Sequence, residues 1–118
     1  MREVLFLVGR DAVLWADWSA SSIALPDTRE RWEKIWSLRA ELEEIVHTHP
    51  MGPLGFSHED ETTMAALESA LARPIRFSVV APDGMVVRQD GRDVRVEKEP
   101  WWTSILRTLS GMADNKEI

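Results

Sequence analysis

The hydrophobic positions of this chain switch between two periods, and the switches mark out its elements. Val4 to Val8 is an unbroken apolar run ending at Gly9, which reads as a short buried strand. Arg10 and Asp11 form a polar turn. Ala12 to Trp18 resumes as a second strand, so the pair predicts a hairpin. Ser19 to Pro26 is looser, and Ser21 and Ser22 weaken any strand there. Asp27 or Thr28 can cap a helix, supported by Glu30 in the first turn. Trp32, Ile35, Trp36, Arg39 and Leu42 then recur at spacings of three and four, which is helix period with Arg39 as a polar intruder. Glu44 to His49 returns to strand, because Ile45 and Val46 are β-branched and Pro50 ends the ladder.

Met51 to Phe56 carries Gly52, Pro53 and Gly55 and reads as a loop. Ser57 begins a second helix, with Met64, Leu67 and Leu71 as its apolar stripe and Pro74 as its stop. Ile75 to Val80 alternates with strand period. Pro82-Asp83-Gly84 is a turn, Met85 to Val87 a further strand, and Asp90-Gly91 a hairpin signal. Val94 and Val96 are expected on one face of the strand that follows. Trp101 to Met112 reads as a closing amphipathic helix, in which the tryptophan pair is expected mainly in the core. The order ββ-α-β-loop-α-β-ββ-α predicts an α/β domain of α+β type: a largely antiparallel sheet with helices packed on it. A single domain is expected over residues 1–112, with 113–118 as a flexible tail.

Composition narrows the chemistry. A chain of 118 residues, 44% of them hydrophobic, can bury a modest core. It contains no cysteine, so disulfides and thiolate metal sites are excluded, and any metal must be held by His, Asp or Glu. A net charge of -6 argues against nucleic acid as a partner, because phosphate binding needs a basic face. No apolar run approaches the roughly 20 residues of a membrane span. Met1-Arg2-Glu3 leads straight into the first strand, without the apolar region of a signal peptide. A cytoplasmic protein without membrane attachment is the expectation.

Against that background His47 and His49 stand out. They lie two apart in an expected strand, so both imidazoles project from one face while Thr48 projects from the other. Two nitrogen donors on a rigid element suit zinc, and a catalytic zinc needs a third protein ligand and one open position. The Gly/Pro loop lets the chain reverse and bring Asp60, in the first turn of the next helix, back to the strand end. Both sets of residues also have plainer readings. A histidine pair in a strand is commonly structural or solvated. Ser57-His58-Glu59-Asp60 is equally a capping pattern, with Ser57 as N-cap and acidic residues favoured by the helix dipole. A capped helix can still present Asp60 to a metal, so the two readings are compatible.

The run His47-Thr48-His49-Pro50, with seven residues between His49 and Ser57, then Ser57-His58-Glu59-Asp60, resembles the signature of the JAMM (JAB/MPN) zinc metallopeptidases. The surrounding order of helix, strand, Gly/Pro loop and helix is similar as well. The resemblance spans the chain from the first strand to the last hairpin. It implies a cytidine-deaminase-like mixed sheet flanked by helices, with Zn2+ held by His47, His49 and Asp60. It further implies that Glu3, just before the first core strand, acts as general base and acid, and that Ser57 supports the oxyanion. Glu30, Glu33, Glu43 and Glu44 match no family position. His58 is read as surface.

The activity so implied is hydrolysis of a peptide or isopeptide bond. The substrates would be ubiquitin-like or sulfur-carrier proteins cleaved after a C-terminal Gly-Gly, as in the stand-alone prokaryotic members. The interval from Asp60 to Phe77 has no room for the insertion that ubiquitin-chain-specific members carry. The rival expectation is a non-catalytic MPN-type module that docks a partner through a sheet edge or its tryptophans.

Overall fold

The computed structural model describes residues 1–21 and 27–112; the expected tail at 113–118 and the end of the loose segment lie outside the described residues. Nine elements follow one another: β1 (Val4–Gly9), β2 (Ala12–Trp18), α1 (Arg29–Ser37), β3 (Glu44–Thr48), α2 (His58–Leu71), β4 (Arg76–Ala81), β5 (Gly84–Gln89), β6 (Arg92–Arg95) and α3 (Thr103–Ser110). The strands form one mixed sheet in the order β2-β1-β3-β4-β5-β6. Every neighbouring pair is antiparallel except β3 and β4, which run parallel because α2 carries the chain back between them. The expected α+β architecture is the one observed.

Helices cover both faces of the sheet. Ile35 of α1 and Met64 and Leu67 of α2 pack on Leu5, Leu7, Ile45 and Phe77. Trp102 and Leu106, at α3, pack on Val4, Phe6, Val46 and Val80 on the other face. This is why β1 reads as a continuous apolar run rather than an alternating one: all six of its residues are buried. At the β5–β6 hairpin both turn residues have positive φ, 54° at Asp90 and 76° at Gly91, as a two-residue turn of matching twist requires.

Three expectations need correction. The first helix ends at Ser37, and Leu42 reaches the core from the turn after it, its amide bonded to the Leu38 carbonyl. The buried positions of α1 are Arg31 and Ile35, four apart. Trp36 lies one residue further round the helix and is 53% exposed, with the Arg39 guanidinium 4.0 Å above its ring. In the tryptophan pair the two side chains part. Trp102 is buried edge-on against Phe6, whereas Trp101 is 59% exposed. Finally, β6 ends at Arg95, so Val94 stands exposed while Val96, just beyond the ladder, packs on the α3-side core.

Two polar devices fasten this frame where it bears on the site. The Arg107 guanidinium, 1% exposed, donates to the carbonyls of Ala81 and Gly84 and pairs with Glu99, tying α3 to the β4–β5 turn. At the start of the chain the Arg2 amide donates to the Ser110 carbonyl and the Glu3 amide to the Ser21 carbonyl, while the Ser19 amide donates to the Glu3 carbonyl. The segment before β1 is thus pinned on both sides. Among the described residues no helix is long and apolar enough to cross a membrane.

Candidate metal centre

Strand parity does what the spacing predicts. His47 lies on β3 opposite Leu5, on the sheet face covered by α1 and α2, and His49 follows on the same face. The strand does not stop dead at Thr48, since the His49 amide still donates to the Val80 carbonyl. Thr48 points to the other face, where its hydroxyl accepts from the Val4 amide at 2.9 Å. That bond fixes the β1–β3 register next to the histidines.

Asp60 arrives by the helix cap. Ser57 is the N-cap of α2: its Oγ accepts from the Asp60 amide at 3.0 Å, and its own amide donates to Asp60 Oδ2 at 2.8 Å. This reciprocal capping box holds the Asp60 carboxylate at the helix start, facing the strand. Capping and presentation to a metal are therefore the same geometry here.

The three side chains converge, with one ligand atom from each lying within 4.8 Å of the others. His47 Nε2 and His49 Nε2 are 3.1 Å apart. Asp60 lies 3.2 Å from His47 Nε2 through Oδ1 and 3.3 Å from His49 Nε2 through Oδ2. Donors about 2.0–2.1 Å from a common zinc at the tetrahedral angle stand about 3.4 Å apart, a separation that the histidine pair and each histidine–carboxylate contact approach. The residues present can hold a metal ion. His49 Nδ1 donates to the Pro53 carbonyl at 3.0 Å, which orients its Nε2 toward the other two donors. A ligand histidine anchored through its second nitrogen is the usual support of a metal site.

The charge balance is consistent with this role. Burial alone would raise the Asp60 carboxyl, but hydrogen bonds from His47, His49 and the Ser57 amide hold it far below the ordinary carboxylate range. Burial would lower His49. The Asp60 hydrogen bond, the Pro53 carbonyl and the charges of Asp60 and Glu3 outweigh that and raise it.

Glu3 shares the cleft of about 850 Å³ that contains the triad. It is 6% exposed despite its place near the start of the chain, because the flanking backbone bonds pin it. Burial pushes its carboxyl up, against the opposing pull of His47 and His49. A carboxyl raised toward neutrality beside a candidate metal site suits proton transfer. Ser57 lies on the same cleft and is exposed. Its Oγ accepts the cap bond, and its hydroxyl proton remains to be donated. His58, read as surface, is exposed at the cleft rim. Glu44 is buried on the opposite face with Ser78 and Arg76, away from the triad.

Three contacts near the donors have no sequence signal that singles them out. The Pro53 carbonyl is a backbone group in a loop. Phe56 packs against the His47 ring with centroids 6.4 Å apart. Arg88, on β5, lies 4.8 Å above the Phe56 ring and bonds Glu61 of α2. Both side chains became visible only once the loop and sheet were folded together.

No family model matches the chain, and comparison with curated proteins and with solved structures also yields no match.

Proposed function

We propose that this protein is a zinc-dependent peptidase or isopeptidase of the JAMM type. The observation that carries the proposal is the convergence of His47, His49 and Asp60, with closest contacts of 3.1 to 3.3 Å, in one cleft with the buried Glu3. Zinc would be held by His47 Nε2, His49 Nε2 and the Asp60 carboxylate, and it would supply Lewis acidity to polarise a carbonyl and to bring the pKa of water down to about 7.

The remaining work falls to the chain. Glu3, its carboxyl raised by burial, takes the proton of the attacking water and delivers it to the departing amine nitrogen. The Ser57 hydroxyl donates to the oxyanion that develops on the former carbonyl oxygen. The Pro53 carbonyl and the Ser57 amide hold His49 and Asp60 in place throughout. The substrate class is a ubiquitin-like or sulfur-carrier protein cleaved after its C-terminal Gly-Gly, in the cytoplasm. The direct passage from α2 to β4 supports this choice over ubiquitin chains, because only residues 72–75 lie between the two elements.

Metal content and hydrolysis together test the proposal. Purified protein should retain about one zinc, lost in His49→Ala and Asp60→Ala. It should cleave a Gly-Gly-linked ubiquitin-fold fusion, and Glu3→Ala should keep the metal and lose the cleavage. A wild type that never retains zinc would sink the reading. Stoichiometric zinc with no cleavage of any such fusion, and no effect of Glu3→Ala, would replace it with the MPN-type binding module.

A further inference from the structure

The triad is assembled from two elements. His47 and His49 belong to β3 and its extension, whereas Asp60 belongs to α2. The capping box fixes Asp60 within its helix, but it says nothing about where that helix sits relative to the sheet. The buried Met64 and Leu67 hold α2 down one and two turns further on. Something must also set the first turn, since a ligand displaced by even 1 Å costs coordination.

The side chain of Arg88 spans that gap. Arg88 lies on β5 opposite Phe77 and so projects from the α2 side of the sheet. Its guanidinium makes three contacts. It donates two bonds to Asp93 across the β5–β6 pair, from Nε to Oδ1 at 2.5 Å and from Nη2 to Oδ2 at 2.9 Å. Its Nη1 donates to Glu61, the residue after ligand Asp60. Its Cζ lies over the Phe56 ring, 4.8 Å from the ring centroid, and the Phe56 ring in turn lies beside that of His47. One guanidinium therefore links the sheet, the first turn of α2 and the ring that backs a ligand histidine. A planar fork with a stacking face suits this task, and an ammonium does not.

We infer that Arg88 is a positioning residue for metal binding: gripped by Asp93, it sets Asp60 through Glu61 and His47 through Phe56. The inference rests on the metal-site reading above. These are not strong stabilising pairs. Glu61 and Asp93 are each 43% exposed, and ion pairs of that kind add little to folding. The predicted effect is accordingly on metal affinity rather than on stability, which separates positioning from a merely structural role.

Co2+ binding followed by its visible absorption tests this without any substrate. Arg88→Ala should weaken Co2+ binding on the order of tenfold or more and alter the band positions, as loss of a support behind metal ligands does. The metal-free melting temperature should change little. Arg88→Lys, which keeps a charge for Glu61 but loses the fork and the stacking plane, should recover only part of the affinity. Glu61→Gln, at a half-buried position, should weaken Co2+ binding in the same direction and serves if Arg88→Ala fails to fold. Arg76→Ala, which removes pairs at the far end of β4, should leave affinity unchanged. Wild-type affinity and spectrum in both Arg88→Ala and Glu61→Gln would overturn the inference while leaving the peptidase reading intact. A wild type that takes up neither Co2+ nor Zn2+ would overturn both.

Discussion

Glu3 and His49 line one cleft, and the charge of each acts on the other. The antiparallel ladder of β1 and β3 ends with Leu5 opposite His47, and Glu3 lies two residues before Leu5. The Val4 amide, bonded to Thr48 Oγ1 between them, holds the two strands at that point. A carboxyl two residues from the start of the chain is thereby placed in the cleft of the three candidate metal donors. On the proposed reading the relationship separates two functions that sit side by side: metal retention by His47, His49 and Asp60, and proton transfer by Glu3.

Glu3→Gln is therefore expected to bind zinc as the wild type does and to lose hydrolysis by about 10²- to 10⁴-fold, the usual worth of a general acid–base. Inductively coupled plasma measurement of zinc beside initial rates on a Gly-Gly-linked fusion reads both quantities. Loss of zinc along with activity would make Glu3 a support of the metal site instead.

Ser57 should show two effects at once. Its Oγ accepts the cap bond of α2 and its amide holds Asp60 Oδ2. Ser57→Ala removes the first and leaves the second, so it should cost about 1 kcal/mol of stability in urea unfolding. Zinc affinity should fall only modestly, because the amide still grips the ligand. Asp60→Ala should lose the metal and the bond from the Ser57 amide, while its own amide still donates to Ser57 Oγ.

Metal binding should weaken as the pH falls. His49 must be neutral to coordinate, yet in the metal-free protein its pKa lies above the ordinary value of 6.5. Protons should thus begin to displace the metal above pH 6.5, at about tenfold in affinity per pH unit for each proton taken up. Asp60 stays ionised across this range and adds no slope. The metal-free fold should follow the opposite sign. A raised folded-state pKa contributes stability that is full below the unfolded value and is lost as the pH rises through the folded one. Zinc competition assays and urea melts over a pH series, with His49→Ala as reference, check the two slopes.

Arg107 tests the frame away from the site. It is almost fully buried, with Glu99 and two backbone carbonyls as partners. Arg107→Ala leaves Glu99, 8% exposed in its side chain, without this cation. Removal of one member of a buried pair costs about 3–5 kcal/mol, so the variant should unfold at much lower urea concentration than the wild type.

Much of this protein could be read from its residues in order. The switches between periods of two and of three to four set the element sequence, because each element must put its apolar side chains on one face. The Asp90-Gly91 turn and the Ser57 cap are local features, decided by backbone preferences within a few residues. The shared face of His47 and His49 follows from strand parity alone. That is why the triad could be proposed from spacing. Where local pattern was followed too far, as in the extension of the first helix to Leu42, the chain had a turn that delivers the same side chain to the same core.

Tertiary structure decided the rest. Trp36 and Trp101 match the apolar pattern yet stand exposed, since what covers a helix face depends on which elements pack there. Glu3 becomes a member of the site only when β1 pairs with β3. Arg88 becomes relevant to Asp60 only when β5 comes to lie near α2, since Arg88 and Glu61 are 27 positions apart in the chain. Sequence carries a side chain's local direction, because that depends on neighbouring dihedral angles. It does not carry long-range juxtaposition, because that depends on strand register and helix packing summed over the whole fold.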